Sequence, residues 1–266
     1  MQIILISSPC DKSFFPLTNG VRAKQFLKLF TGENNKKESQ AQRVLARVRA
    51  EYPGAEITFA APVSQVESIR SQFGEDVNIA LVPENCDEET ARNSACEFLA
   101  DKGTDKNEEV KILSPSAGIN SWSELANELK SHDTLVINEL NIPVITAGTK
   151  NLIIAASPDG ILVADRRDSA QTEKLADELN LPRPMYEERR WGEYTVLSQT
   201  AHSLVKNLFI KAGKSISLQA HNYRSEVWVI ASGEGIFTLD DETREVRAGD
   251  VLKIAVGQKH KISAVF

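Results

Sequence analysis

Short apolar segments alternate with amphipathic segments over roughly the first 130 residues, and this alternation limits the fold more than any other feature of the chain. The apolar segments have the length and composition of strands, whereas apolar residues recur at helical spacing in the amphipathic segments. Strands that alternate with helices form a mostly parallel sheet covered by helices on both faces, so we predict an α/β fold. The predicted strands are residues 3–6, 56–60, 77–82 and 110–113, and the predicted helices are residues 39–51, 64–73, 88–100 and 121–130.

The pattern changes after residue 133. Residues 134–166 contain the short apolar runs LVI, PVI, NLIIAA and GILVAD, separated by Asn, Gly, Pro and Asp, and these runs predict small strands. A polar amphipathic helix follows over residues 168–180 and ends at the sequence LPRP. The chain thus divides into a first domain (1–133) and a β connector with one helix (134–184).

The last segment, residues 185–266, is predicted to be a domain made only of strands. Short strands with a turn every 8–12 residues or so are typical of a sandwich or small barrel. Hairpin signals occur at Ser232–Gly235 and at Asp240–Thr243.

This last segment also contains the side chains that are best suited to bind a metal ion. Gln219 and His221 are two residues apart at a predicted strand end and therefore face the same side, while Glu226 and Trp228 share a face of the next strand. His260 comes later. Two imidazoles, a carboxylate and an amide oxygen inside a barrel suit zinc, manganese or iron. The alternative is a set of buried polar residues satisfied by hydrogen bonds in a barrel that is empty or binds a small molecule.

Composition and charge exclude several classes of partner. A net charge of −6 argues against general binding of nucleic acid or acidic membranes. The three cysteines show neither CxxC spacing nor a disulfide framework, which is typical of a reducing cytoplasm. The N-terminus has no positively charged region before its short apolar run, and no later apolar run is longer, so we expect neither a signal peptide nor a membrane span.

The spacing in the last segment resembles the two cupin motifs. The residues that match the first motif are Gly213, Gln219, His221, Glu226 and Gly233, and those that match the second are Gly249, Ala255, Gly257 and His260. Ala255 replaces the usual proline. The resemblance implies a jelly-roll barrel with Gln219, His221, Glu226 and His260 as metal ligands.

The whole chain resembles the bacterial mannose-1-phosphate guanylyltransferases that carry a mannose-6-phosphate isomerase type II cupin. The segments that carry this resemblance are MQIILISSPCDKSFFPLTNGVRAKQFLKLF, NLIIAASPDGILVADRRDSAQTEKLADEL, WGEYTVLS and LQAHNYRSEVW. The family implies a Rossmann-like parallel sheet of nucleotidyltransferase type in the first domain, which would make GDP-mannose from GTP and mannose 1-phosphate. The cupin would interconvert mannose 6-phosphate and fructose 6-phosphate.

The first domain departs from the family where phosphate should bind. The family's loop after the first strand is rich in glycine, which lets backbone amides approach phosphate, but this loop has none. Pro9 lacks an amide donor and Asp11 adds a negative charge. Ala117 stands where the family has a magnesium-binding aspartate, and the sugar-binding middle that should follow is missing. We therefore expect guanylyltransferase activity to be impaired or lost, with GTP and magnesium as cofactors only if the domain is active.

Part of the family's basic motif remains in VRAKQF. Arg22, Lys24 and Gln25 match it, and Lys24 would contact phosphate in a working site. The alternative is that Arg22 and Lys24 are solvated charges that flank Phe26.

The cupin also departs from the family. Asn222, Tyr223 and Val227 replace histidines, although the four metal positions fit. Arg224 could hold the phosphate of a sugar phosphate as a bidentate partner, or it could be an arginine of a surface turn. The sequence ends at Phe266, before the last strands expected from the family, so we expect one barrel edge to be open.

Three hypotheses follow. The first is a shortened, divergent member of the family whose cupin binds a divalent metal and a sugar phosphate. The second is an active mannose-1-phosphate guanylyltransferase that uses Lys24 and an unrecognised carboxylate. The third is a non-catalytic scaffold or regulator that forms a homo-oligomer or pairs with a full-length relative through its open edges.

Overall fold

The computed structural model describes residues 1–10, 13–32, 35–105, 108–115, 119, 121–130, 133–179 and 183–265. The chain divides into two compact units, Met1–Glu187 and Glu188–Phe266. Asp11 and Ala117, on which two of the predictions depend, lie outside the described residues. No helix among the described residues is long and apolar enough to span a bilayer.

The first unit contains the predicted parallel sheet. Its first six strands and four helices are β1 (Gln2–Ile6), β2 (Phe30–Thr31), β3 (Lys37–Glu38), β4 (Glu56–Ala61), β5 (Asn78–Leu81), β6 (Val110–Leu113), α1 (Gln40–Glu51), α2 (Val66–Phe73), α3 (Glu88–Asp101) and α4 (Trp122–Glu128). The order β5-β4-β1-β6 places β1 inside the sheet, and all three pairings are parallel. The prediction of an α/β fold is confirmed.

Helices cover both faces of this sheet. On one face Ile3 and Leu5 of β1 pack in a core with Leu45 of α1 and Ile69 of α2. On the other face Ile4 packs with alanines and a leucine of α3. Since β1 is buried on both sides, its residues 3–6 form a continuous apolar run rather than an alternating one.

The connector shares a core with the start of the chain. It consists of β7 (Leu135–Asn138), β8 (Leu152–Ser157), β9 (Gly160–Asp165) and α5 (Ser169–Glu178). β7 pairs parallel with β8, and β8 forms an antiparallel hairpin with β9. Leu135 and Ile153 pack in one cluster with Phe14 and Trp122, so the connector lies within the first unit. The strand predicted at PVI is wrong, because these residues have no strand structure and Ile145 is exposed.

The last strands form antiparallel sheets, as the cupin resemblance implies. They are β10 (Tyr186–Arg189), β11 (Gly192–Gln199), β12 (Leu204–Ile210), β13 (Glu226–Val229), β14 (Glu234–Leu239), β15 (Glu242–Arg247), β16 (Val251–Ile254) and β17 (His260–Ala264). The sheets have the orders β10-β11-β12, β13-β16 and β15-β14-β17. Their shared core includes Ile216, Phe237, Leu252 and Ile262.

One of the two predicted hairpins in this unit is confirmed and the other is wrong. β14 and β15 pair across a tight turn at Asp240, whose φ is +52°. The signal at Ser232–Gly235 marks a connection between sheets, because β13 pairs with β16 whereas β14 pairs with β15 and β17. Gly233 turns the chain there with a φ of +78°.

Candidate metal centre

His221, Glu226 and His260 converge in the second unit. The distance from His221 Nε2 to Glu226 Oε1 is 3.1 Å, and that from His260 Nε2 to Glu226 Oε2 is 3.3 Å. One ligand atom from each residue can be chosen so that all three lie within 4.8 Å of one another. Two imidazole nitrogens and a carboxylate oxygen at this spacing could hold a metal ion.

Backbone pairing brings these residues together from distant parts of the sequence. The backbone of Gln219 forms an isolated antiparallel bridge with His260, with N···O distances of 3.0 and 2.8 Å. The Gly257 N–H donates to the carbonyl of His221 at 2.8 Å, which fixes the loop that precedes β13. Glu226 is the first residue of β13, where it stands opposite Ile254 of β16.

The buried side chain of His260 points an unpaired nitrogen at the carboxylate. Its Nδ1 lies 3.0 Å from the carbonyl oxygen of Gln258, and since a carbonyl only accepts, Nδ1 carries the hydrogen. In neutral His260, Nε2 then has a free lone pair, and this fully buried atom has no hydrogen-bond partner among the described residues. It faces Glu226 Oε2, so two acceptors oppose each other in a buried place. A cation between them removes this conflict, which means that the donor set fits a metal ion.

Arg224 and Trp228 make the remaining contacts of the centre. Arg224 Nη2 lies 2.8 Å from His221 Nε2, and since guanidinium only donates, His221 Nε2 is the acceptor. Arg224 Nε donates to Glu226 Oε1 at 2.7 Å, and Trp228 Nε1 donates to Glu226 Oε2 at 3.0 Å. Trp228 shares a face with Glu226, as its spacing predicts.

The electrostatics favour the protonation states that a metal requires. Burial lowers the pKa of His221, and the Glu226 carboxylate opposes this effect only in part. Burial acts to raise the pKa of Glu226, but hydrogen bonds from Arg224 and Trp228 hold that pKa below its ordinary value. The result is a neutral imidazole beside an ionised carboxylate, which are the forms that coordinate metals.

Gln219, the fourth predicted ligand, is half-buried and lies opposite His260 through its backbone. The expected strand end is replaced by that isolated bridge, and His221 lies outside any strand. The assignment of Gln219 as a ligand stays a prediction. The sequence does not show that Gln258 orients His260, because the group that does so is its backbone carbonyl, which every residue type has.

In the first unit, the buried Arg22 forms an ion pair with the partly exposed Glu139. Its guanidinium donates to both oxygens of Glu139, at 2.7 and 3.0 Å, and lies 5.2 Å from the ring centroid of Tyr186. The interpretation of Arg22 as a solvated charge is therefore wrong, because only 11% of its side chain is exposed.

The side chain of Gln25 donates hydrogen bonds to the loop that follows β1. Its Nε2 donates to Ser7 Oγ at 2.8 Å and to the carbonyl of Ser8 at 3.2 Å. Gln65 donates to the same Ser8 carbonyl at 2.7 Å. Two buried glutamines, Gln25 and Gln65, thus hold the loop, whereas Lys24, which precedes Gln25 in sequence, is half-buried. Phosphate binding by Arg22, Lys24 and Gln25 stays a prediction.

Comparison with known proteins gives two kinds of match. Residues 177–265 match the family described as mannose-6-phosphate isomerase C-terminal. The chain is 25% identical over 226 residues to the mannose-1-phosphate guanylyltransferase of Escherichia coli (strain K12), a match that covers 73% of this chain and 45% of the relative. It is 24% identical over 160 residues to mannose-1-phosphate guanylyltransferase ManC of Salmonella typhimurium, covering 57% of this chain and 32% of the relative. The chain thus spans less than half the length of these relatives.

Solved structures also resemble part of the chain. A cupin superfamily protein from Desulfitobacterium hafniense is 20% identical, with 34% of this chain and 76% of that chain covered and a TM-score of 0.26. An RmlC-like cupin from Shewanella frigidimarina is 18% identical, with 27% and 64% covered and a TM-score of 0.26. By sequence, this chain is thus similar to the mannose-1-phosphate guanylyltransferases over part of their length, and its residues 177–265 match the mannose-6-phosphate isomerase C-terminal family.

Proposed function

We propose that the C-terminal unit binds one divalent metal ion through His221, Glu226 and His260, with Gln219 as a fourth ligand. The observation that carries this proposal is the buried Nε2 of His260, which lacks a hydrogen-bond partner among the described residues and faces Glu226 Oε2 at 3.3 Å. The hydrogen bond from Nδ1 to Gln258 directs the free lone pair toward the carboxylate. Two imidazoles and a carboxylate suit zinc, manganese or iron(II).

We further propose a sugar phosphate as the ligand class of this unit, in line with the family that its sequence matches. When bound, the metal supplies a Lewis acid that polarises a sugar carbonyl. Arg224 lies beside the centre with 58% of its side chain exposed, so its guanidinium can reach the phosphate of a ligand that enters from solvent.

For the first unit we propose that guanylyltransferase activity is impaired or lost. Pro9 lacks an amide donor, and buried glutamines already bond the carbonyl of Ser8 in that loop. The guanidinium of Arg22 is held by Glu139. Formation of GDP-mannose from GTP and mannose 1-phosphate by the purified chain would contradict this part of the proposal.

The metal proposal is tested by elemental analysis. The purified chain is loaded with zinc, manganese or iron(II), desalted and analysed by mass spectrometry for bound metal. We expect about one ion per chain in wild type and little in His221→Ala, because a site with three or four ligands loses one of them. His202→Ala is the matched control, since His202 is exposed between β11 and β12. Wild type without metal, or His221→Ala that retains as much as wild type, would contradict the assignment.

A further inference from the structure

We infer that Arg224 competes with the metal for the coordinating atoms of His221 and Glu226, and that metal binding displaces its guanidinium toward solvent. The inference rests on the proposed metal site and adds a role for a residue that is not a ligand. It makes Arg224 a regulator of metal affinity, built into the short turn between two ligands.

The contacts of Arg224 use the same lone pairs that a metal needs. The guanidinium places Nη2 at 2.8 Å from His221 Nε2 and Nε at 2.7 Å from Glu226 Oε1. A neutral imidazole nitrogen has one lone pair, so His221 Nε2 cannot accept from Arg224 and coordinate a metal at the same time. The two atoms that Arg224 holds are themselves only 3.1 Å apart, close enough to share one cation.

Charge adds to this conflict. The guanidinium of Arg224 is positively charged, so it and a divalent ion would repel each other at a separation of a few ångströms. With 58% of its side chain exposed, Arg224 can turn into water, whereas His221 and Glu226 are each only 18% exposed. The metal therefore displaces the arginine rather than the ligands.

The other half of the centre does not depend on Arg224. Trp228 Nε1 holds Glu226 Oε2, and the Gln258 carbonyl fixes the ring of His260. These contacts use atoms that Arg224 does not touch. Removal of Arg224 thus frees the metal-binding lone pairs of His221 and Glu226, while the hydrogen bonds from Trp228 to Glu226 and from His260 to the Gln258 carbonyl remain.

The test compares zinc affinities by competition with a chromophoric chelator. Arg224→Met keeps much of the length of the side chain but removes the charge and the donors, and we expect it to bind zinc at least about tenfold more tightly than wild type. Tenfold corresponds to about 1.4 kcal/mol, roughly the lower end of one charge-assisted hydrogen bond. Arg224→Lys should lie between the two, because an ammonium keeps the charge but cannot bridge both acceptors as a planar fork.

Arg244→Met is the matched control, because it removes the same charge from an exposed position on β15. We expect its zinc affinity to equal that of wild type. If all variants bind zinc but Arg224→Met binds with wild-type affinity or more weakly, the competition is wrong while the metal site stands. If neither wild type nor Arg224→Met binds zinc, both the metal site and the competition are wrong.

Discussion

Glu226 is the residue at the centre of the candidate site, since each of its oxygens has two polar neighbours. Oε1 faces Arg224 and His221, and Oε2 faces Trp228 and His260. Arg224 and Trp228 can donate to the ionised carboxylate, whereas each imidazole, when neutral, directs a lone pair toward it. A single carboxylate therefore links the groups that stabilise its charge to the groups that require a cation.

Among the ion pairs described in the first unit, that of Arg22 and Glu139 should contribute most to the free energy of unfolding. Arg22→Met is expected to lower the free energy of unfolding by about 2–3 kcal/mol, because it leaves Glu139 partly buried without its counter-charge. The double variant Arg22→Met/Glu139→Leu should recover most of this loss, since no unpaired charge remains. Urea unfolding followed by circular dichroism measures both changes.

The exposed pair of Arg167 and Asp165 is the control for this cycle. Arg167 is 81% exposed, so Arg167→Met should change the stability little. An Arg22→Met variant as stable as wild type would show that solvent or another group compensates Glu139.

The sequence identified residues well where a local pattern existed. The cupin spacing selected His221, Glu226 and His260, which the structure brings together. The sequence could not identify Glu139 as the partner of Arg22, because 117 residues separate the two and no periodic pattern relates them. The contacts of Arg224 with His221 and Glu226 were not predicted for a different reason: these residues are close in sequence, but the spacing does not show which way the arginine side chain turns.

At the scale of elements, helix starts were predicted within one or two residues because side chains mark them. Ser39 caps α1 in a capping box with Gln42, and Asp87 accepts the backbone N–H of Thr90 at the start of α3. The turn at Ser232–Gly235 was misread as a hairpin because glycine indicates that the chain turns, but not which strand it will pair with.

The cap of α3 makes the stability of this helix depend on pH. Hydrogen bonds from Thr90 lower the pKa of Asp87 in the folded state, so its contribution is present above the ordinary carboxyl value of about 3.9. The contribution is lost as the pH falls through the lower folded value. We therefore expect wild type to lose stability relative to Asp87→Asn below about pH 4, because asparagine keeps an acceptor but does not titrate.

Urea unfolding of both proteins at pH 7, 4 and 2.5 measures this difference. Glu89→Gln, in the first turn of the same helix, is the control for loss of a nearby charge away from the cap. A stability difference between wild type and Asp87→Asn that is constant with pH would contradict the role of the ionised cap.

At the scale of the whole molecule, the two candidate sites belong to different compact units. The residues of the metal centre lie within Glu188–Phe266, and the loop held by Gln25 lies within Met1–Glu187. The sequence located the change of pattern near residue 133 but could not show that the connector shares a core with Phe14 and Trp122. A change of pattern marks a change of elements, whereas a shared core depends on contacts between distant segments.

Metal binding should therefore stabilise one unit and not the other. Each unit has its own buried apolar clusters, so we expect two thermal transitions, and the one that Arg22→Met lowers belongs to the first unit. Zinc at about 100 times its dissociation constant should stabilise the second unit by about 2.7 kcal/mol. Differential scanning calorimetry should show this shift in wild type and not in His221→Ala. A shift of the first transition alone, or of the second transition in both proteins, would place the bound metal away from His221.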